Sequence, residues 1–225
     1  MSTVDPIAAE RPLSITERRH TMAVLEGGII ALPNAPISNS QRGGSVPFAT
    51  VGHGDATLQT GVRLLYRGGR DWTIGIGALF GPSPTSDSQY GGLKSLPRTH
   101  SRNYMVFTTE GRYVPFRRNG FEGWLGVVAG GVVIADRFST DAGDIVPSVI
   151  GKKQVTIRTE GFVLGIQAGL TWNFAERWGA GVVLRGNQWF LPTTPQCSPI
   201  GDCATLEGGV QSFEAGLSIG YRIPL

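Results

Sequence analysis

The chain has 225 residues, a formal net charge of +3 and a charged fraction of 16 %, which is below the roughly 25 % usual in soluble domains. Its basic residues do not cluster, which argues against nucleic acid as a partner. No run of about 18 or more apolar residues occurs, so a transmembrane helix is excluded. Glycine is in excess, at 33 residues, or about twice the usual share.

Eight segments alternate between large apolar residues and small or polar ones. This period of two is typical of β-strands, and no helical period of comparable length appears. The predicted strands, in chain order, cover residues 20–32, 56–67, 71–81, 102–116, 120–136, 155–174, 177–190 and 212–225. The polar residues 1–19 precede them and contain no apolar core of a signal peptide.

The connections between these strands alternate in length. Strands two and three, four and five, and six and seven are joined by a few turn-forming residues, such as Asn119-Gly120. The other connections are long and rich in Pro, Ser, Gly and Asp, and cover about 33–55, 82–101, 137–154 and 191–211. Short turns at one end and long loops at the other are typical of bacterial outer-membrane barrels, whose short turns face the periplasm.

The orientation of the strand faces decides between a soluble and a membrane barrel. In residues 160–174 large apolar residues alternate with glycines and polar residues, and elsewhere the small-residue face gathers charges of both signs. A basic residue that faces lipid costs about 2–4 kcal/mol at the bilayer midplane, so this face must point inward. The predicted interior polar network comprises Glu26, Arg63, Arg67, Glu110, Arg112, Glu122, Glu160, Arg185, Glu214 and Arg222.

Glycines on the same face explain the glycine excess. An eight-stranded barrel is just wide enough for its interior to be filled by side chains. Glycine leaves room there for long Arg and Glu side chains to meet. We therefore predict an interior plugged by satisfied ion pairs, with a gated ion path as the alternative.

Aromatic residues on the apolar face cluster near the short turns and the C-terminus. They are Tyr66, Trp72, Tyr113, Phe121, Trp172, Phe174, Trp178 and Tyr221. Such a ring at one depth is the interfacial girdle of a membrane barrel, and a soluble lipocalin-like barrel, the alternative fold, has no use for it. We predict an all-β, eight-stranded antiparallel up-and-down transmembrane barrel over residues 20–225, with residues 1–19 in the periplasm. Outer-membrane lipids and lipopolysaccharide are then its first partners.

The strand count, the loop alternation and the charged interior resemble the small outer-membrane barrels of the OmpA/OmpX type over residues 20–225. Such proteins end in a signal for the barrel insertion machinery. The spacing of Ser218, Gly220, Ile223 and Leu225 matches that signal, although aliphatic residues replace the usual aromatics and Pro224 departs from it. The resemblance implies that the last strand binds this machinery. It also implies a family of structural barrels, adhesins and a few lipid-modifying enzymes.

Histidines are the candidates for acid–base chemistry. The barrel enzymes that modify lipid A use a His and a Ser near the membrane boundary, and His100 precedes Ser101. Adjacent strand residues point to opposite faces, so this pair does not form a base and a nucleophile. We expect His100 in a solvated loop and His20 and His53 on the surface. No residue spacing typical of a metal site is present, and no cofactor is predicted.

Cys197 and Cys203 lie in the last long connection, and we predict a disulfide between them because exported loops meet an oxidising compartment. The sequence thus indicates a non-enzymatic barrel that serves a structural or interaction role through its loops. Its partner is a larger envelope assembly or an extracellular protein. The alternatives are an enzyme acting on lipid A with His100 as its base, and a narrow channel for ions or small solutes.

Overall fold

Eight β-strands form the regular structure of the chain. The computed structural model describes residues 19–38, 50–83, 99–139, 154–194, 196–198 and 203–224. In this part no helix is long and apolar enough to cross a bilayer. The strands are β1 (His20–Ser38), β2 (Thr50–Arg67), β3 (Trp72–Ser83), β4 (Thr99–Arg118), β5 (Phe121–Ser139), β6 (Gln154–Trp172), β7 (Trp178–Phe190) and β8 (Gly209–Pro224).

Each strand pairs antiparallel with the next, and β1 pairs with β8 to close the barrel. The predicted all-β, eight-stranded antiparallel up-and-down fold is confirmed. The strands β4 and β5 are joined by Asn119 and Gly120, which have φ angles of 51° and 82°. Positive φ at both positions suits the twist of a two-residue hairpin.

The strands extend further toward the long connections than the sequence pattern predicts. The hairpin of β4 and β5 continues to the pair Thr99 and Ser139, beyond the predicted limits at 102 and 136. Backbone pairing persists there because it does not depend on the apolar–polar contrast that sets the predicted limits. Residues 39–49, 84–98 and 140–153, within the predicted long connections, lie outside the described residues, as do residues 1–18.

The outer wall of the barrel is apolar. Phe162, Ile166 and Leu217 are 74 %, 70 % and 69 % exposed, respectively. From Phe162 to Trp172 the outward residues of β6 span about 33 Å along the strand at roughly 3.3 Å per residue. A strand tilted by about 40° converts this length to about 25 Å along the membrane normal, the usual height of the lipid-facing band.

The interior is filled in layers that alternate along the barrel axis. An apolar layer lies in the half nearer the long connections, and Val114, Trp124 and Val183 form a smaller cluster nearer the turns. Polar groups occupy the levels between and beyond them. The members of the apolar layer are Ile30, Leu32, Leu79, Tyr104, Val106, Val132, Ile134, Val163, Trp189, Leu191, Leu206 and Val210.

Candidate functional site

A network of ion pairs crosses the middle of the barrel. The Nε of Arg63 lies 2.9 Å from Glu26 and its Nη1 lies 3.0 Å from Glu110. Arg185 reaches Glu26 at 2.7 Å from another strand. Gln167 completes the circuit, because it donates to Glu110 and accepts a 3.0 Å hydrogen bond from Arg185.

Two further charges extend this circuit toward opposite walls. Arg112 pairs with Glu110 at 3.1 Å, and Glu214 pairs with Arg185 at 3.2 Å. The result carries equal numbers of positive and negative charges, which is what a buried network needs. We call the whole set the central network: Glu26, Arg63, Glu110, Arg112, Gln167, Arg185 and Glu214.

Glycines make room for the long side chains of this network. A Cβ at Gly77 would lie 2.8 Å from Cγ of Arg63, and one at Gly126 would lie 3.1 Å from Nε2 of Gln167. Both distances are tighter than ordinary van der Waals contact. The Arg63 and Gln167 side chains therefore occupy the space that a larger residue at Gly77 or Gly126 would fill.

A second group of charges lies at the end of the barrel that carries the short turns. Arg67 donates to both carboxylate oxygens of Glu122, at 2.8 and 3.2 Å. Arg117 donates to Glu122 at 3.1 Å and to Asp71 at 2.8 Å. Arg222, which is also buried, donates to Asn173. We call these residues the turn-end cluster.

The opposite end is closed around Asp136, in a site that we call the loop-end plug. The Nε2 of His100 lies 2.7 Å from Oδ1 of Asp136, and both side chains are 0 % exposed. Thr205 donates to the same carboxylate twice, from its backbone N–H at 3.1 Å and from its hydroxyl at 2.7 Å. A residue outside the strands is thus bound to a strand carboxylate.

Arg102 joins the plug to the apolar layer beneath it. Its Nε lies 3.3 Å from Asp136 and donates to Thr205 at 2.9 Å, while its Nη1 reaches Asp55 at 3.3 Å. Tyr104 of the apolar layer donates its hydroxyl hydrogen to Asp55. Four segments distant in sequence therefore meet at this end of the interior.

The predicted disulfide between Cys197 and Cys203 is present, in the segment that enters the plug. Ala204, Thr205 and Leu206 follow it directly and are 8 %, 4 % and 0 % exposed, respectively. The disulfide therefore lies immediately before the residues that fill the loop end of the lumen.

Two expectations about histidines are wrong. His100 lies in β4, stacked on Phe138 at 4.6 Å, because the pairing of β4 and β5 continues past the predicted strand end. His20 is 3 % exposed, because the first residue of β1 points into the barrel. The side chain of His53 lies outside the described residues. Ser101 falls on the face opposite to His100.

Glu160 is not part of the interior. All the other predicted network residues are buried, but Glu160 is exposed on the outer wall. Its neighbours Thr159 and Gly161 take the inward positions, and strand alternation therefore turns Glu160 outward. The carboxylate lies one step beyond Phe162, at the loop-end limit of the apolar band, where a charge meets water rather than hydrocarbon.

The aromatic residues predicted as a girdle lie on the outer wall beside the turns. Their rings contact one another across strands: Trp72 and Tyr113 have centroids 5.0 Å apart, as do Trp178 and Tyr221. Phe121 and Trp172 are stacked at 6.2 Å. These pairs share one depth on the barrel, and Phe174 and Tyr66 are exposed beside the same turns.

Sequence reasoning misses the partners at the loop end. Asp136, Arg102 and Thr205 are not among the predicted site residues, although Asp136 continues the inward parity of β5. That parity is a usable signal for Asp136 and Arg102. Thr205 follows no strand pattern, so nothing in the sequence marks it. Within the described residues, no group of three or more His, Cys, Asp or Glu could hold a metal ion.

No protein-family profile and no curated protein matches the sequence. Several solved structures match the fold of the chain. The Neisserial surface protein A is 11 % identical, covers 91 % of this chain and 97 % of its own, and superposes with a TM-score of 0.54. The chain folds as a small outer-membrane β-barrel. With its apolar wall and aromatic girdle, this fold places it in a bacterial outer membrane.

Two other barrels are similar at lower TM-scores. Ail, the attachment invasion locus protein of Yersinia pestis, is 12 % identical, with coverage of 92 % of this chain and 99 % of its own and a TM-score of 0.49. A major outer membrane protein from Thermus thermophilus is also 12 % identical, with coverage of 91 % and 99 % and a TM-score of 0.49. Identities this low describe the fold and leave the activity to be argued from the site.

Proposed function

We propose that this barrel is non-enzymatic, that its interior is closed, and that it serves a structural or interaction role through its loop end. The observation that supports this most strongly is the filled lumen. The central network, the apolar layer and the loop-end plug follow one another along the axis, and their members are almost all buried. A barrel filled in this way is rigid, and the surface left for a partner is its loop end.

The same geometry argues against the two alternatives. A base that acts on lipid A must reach its substrate, whereas the His100 side chain is 0 % exposed and its Nε2 is bonded to Asp136. A channel needs a continuous polar path, whereas Trp189 and Leu206, both 0 % exposed, lie in the apolar layer that crosses the lumen. The proposed partner is an extracellular protein or a larger envelope assembly.

Planar bilayers and lipid A test the closed, non-enzymatic part of the proposal. The purified barrel should give no conductance steps, with a porin as positive control, and should leave the mass spectrum of lipid A unchanged. Steady conductance would overturn the closed lumen. Loss of acyl chains that disappears in His100→Ala would overturn the non-enzymatic role.

Photo-cross-linking in cells tests the interaction part. A photo-cross-linking amino acid is placed at the exposed Arg137 near the loop end. In a matched variant the same amino acid replaces Leu25, which is 60 % exposed in the apolar wall. We expect protein adducts from position 137 and only lipid adducts from position 25. Absence of protein adducts at position 137 would leave the loop end without a partner and would contradict the interaction role.

A further inference from the structure

Arg222 is a buried cation that forms no direct ion pair with a described carboxylate. The residue is 1 % exposed, and one guanidinium nitrogen, Nη2, donates to Asn173. Its Nε and Nη1 have no hydrogen-bond partner within the part of the chain that the structure describes. Burying a cation without a partner is costly, and natural proteins compensate such a charge.

The nearest carboxylate is already satisfied. Glu122 accepts two hydrogen bonds from Arg67 and one from Arg117. Arg112 lies on the same side of the interior with its guanidinium 3.9 Å above the Trp124 ring, and it pairs with Glu110 of the central network. Without Arg112, the turn-end cluster still has three arginines, Arg67, Arg117 and Arg222, against the two carboxylates of Glu122 and Asp71.

A small cavity lies beside Arg222. It is lined by Arg67, Arg112, Arg222 and His20, and Glu122 is the carboxylate on its wall. Its volume is about 20 Å³, measured as the space open to the centre of a water-sized sphere. Such a space holds one small group, since roughly 10–15 Å³ on this measure is enough for a water.

We propose that this cavity binds a single small monovalent anion of the size of chloride, held by the free N–H groups of Arg222. Hydrogen bonds from a guanidinium to an anion are among the strong ones in proteins, and the surrounding cations add attraction. The size of the cavity selects against phosphate, sulfate and carboxylate ligands. A bound halide would neutralise the positive charge of Arg222.

Bromide is the probe that tests the site, because its anomalous scattering distinguishes it from water. Crystals of the full chain grown in sodium bromide should show an anomalous peak in the cavity, within hydrogen-bond distance of Nε and Nη1 of Arg222. In detergent, sodium chloride should raise the unfolding temperature above the value in sodium gluconate at equal ionic strength, because a ligand that binds the folded state stabilises it.

Substitutions assign the effect to Arg222. In Arg222→Gln we expect halide affinity to fall at least about tenfold, the change that follows from losing roughly 1.4 kcal/mol of binding. Arg177→Gln is the matched control, since Arg177 is an exposed arginine in the adjacent turn and should keep the wild-type halide effect. If Arg222→Gln fails to fold, Arg222→Lys retains the charge but should bind halide more weakly. Equal unfolding temperatures in the two salts, an unchanged halide effect in Arg222→Gln, or water alone in the bromide crystals would overturn the proposal.

Discussion

The central network and the loop-end plug both bury charge, but different parts of the chain build them. The central network lies wholly on strands, so the register of the barrel fixes its pairs: Arg185 and Glu214, for example, are direct cross-strand partners. The plug instead requires Thr205, which lies outside the strands and binds Asp136 at a separation of 69 residues. The network therefore depends on the register of the strands, whereas the plug depends also on a residue outside them.

This difference predicts two kinds of failure. Damage to the central network should weaken the whole barrel, because its members hold strands together across the lumen. Damage to the plug should free the loop end and leave the barrel closed. The following substitutions test that distinction, from the largest expected effect to the smallest.

Glu26→Gln should have the largest effect. It removes the carboxylate that Arg63 and Arg185 share at 2.9 and 2.7 Å and leaves the network with one extra positive charge. Breaking a buried ion pair from one side costs about 3–5 kcal/mol. Reversible urea unfolding in lipid vesicles should show the loss in the free energy of unfolding of the whole barrel.

Glu160→Gln is the matched control for that experiment. It makes the same chemical change on the exposed outer wall, and we expect a change within about 0.5 kcal/mol. Similar losses in Glu26→Gln and Glu160→Gln would contradict both the stabilising role of the central network and the outward placement of Glu160.

Asp136→Asn should release the plug. The substitution removes the carboxylate that binds His100, Arg102 and Thr205, and leaving such buried groups unsatisfied costs about 1–3 kcal/mol. Hydrogen exchange should become faster at the Thr205 amide, while the amides of β1 and β8 keep their protection. Faster exchange throughout the barrel would contradict the independence of the plug.

Removing the disulfide should have a comparable but more local effect. Cys197 and Cys203 are separated by 6 residues, and a cross-link over so short a loop contributes about 2 kcal/mol in the chain-entropy description. The Cys197→Ser, Cys203→Ser double variant should lose its last loop to proteinase K sooner than the wild type and yet migrate as a folded barrel on an unheated gel. An unfolded band would show that the disulfide holds the barrel itself.

Gly77→Ala should have the smallest effect, about 1 kcal/mol, because the new methyl group displaces the Arg63 side chain from 2.8 Å. Gly111→Ala is its control on the outward face, where a Cβ has no atom within 4 Å and should be neutral or slightly stabilising. The urea midpoint of Gly77→Ala should therefore be lower than that of Gly111→Ala. The reverse order would show that the inward glycines are not needed to make room for the charged side chains.

Most of the wall and of the central network can be predicted from the sequence, because side chains in a strand alternate faces without exception outside bulges. The prediction for Glu160 is wrong because it follows the charge of the residue instead of that rule. The partners within the network cannot be predicted. Which Arg meets which Glu, such as Arg63 with Glu110, depends on the stagger of the strands around the closed barrel, and the sequence does not express it.

The loop end can be predicted only in part, for a different reason. The sequence pattern places His100 in a loop because the alternation is evident only where an apolar face stands out, yet the inward series continues through Arg102 to His100. The contact of Thr205 with Asp136 arises from a loop that folds back into the lumen. Such a contact has neither a period nor a short sequence separation by which it could be recognised.

The apolar layer between the central network and the plug has an electrical consequence. Protons and small ions cross proteins along connected polar groups and water, and the tightly packed Trp189 and Leu206 interrupt any such connection. If the lumen is closed as we propose, salt or acid on the loop side should not reach Glu26 across this layer. A closed lumen would then separate the two sides of the membrane electrically, although it is filled with charge.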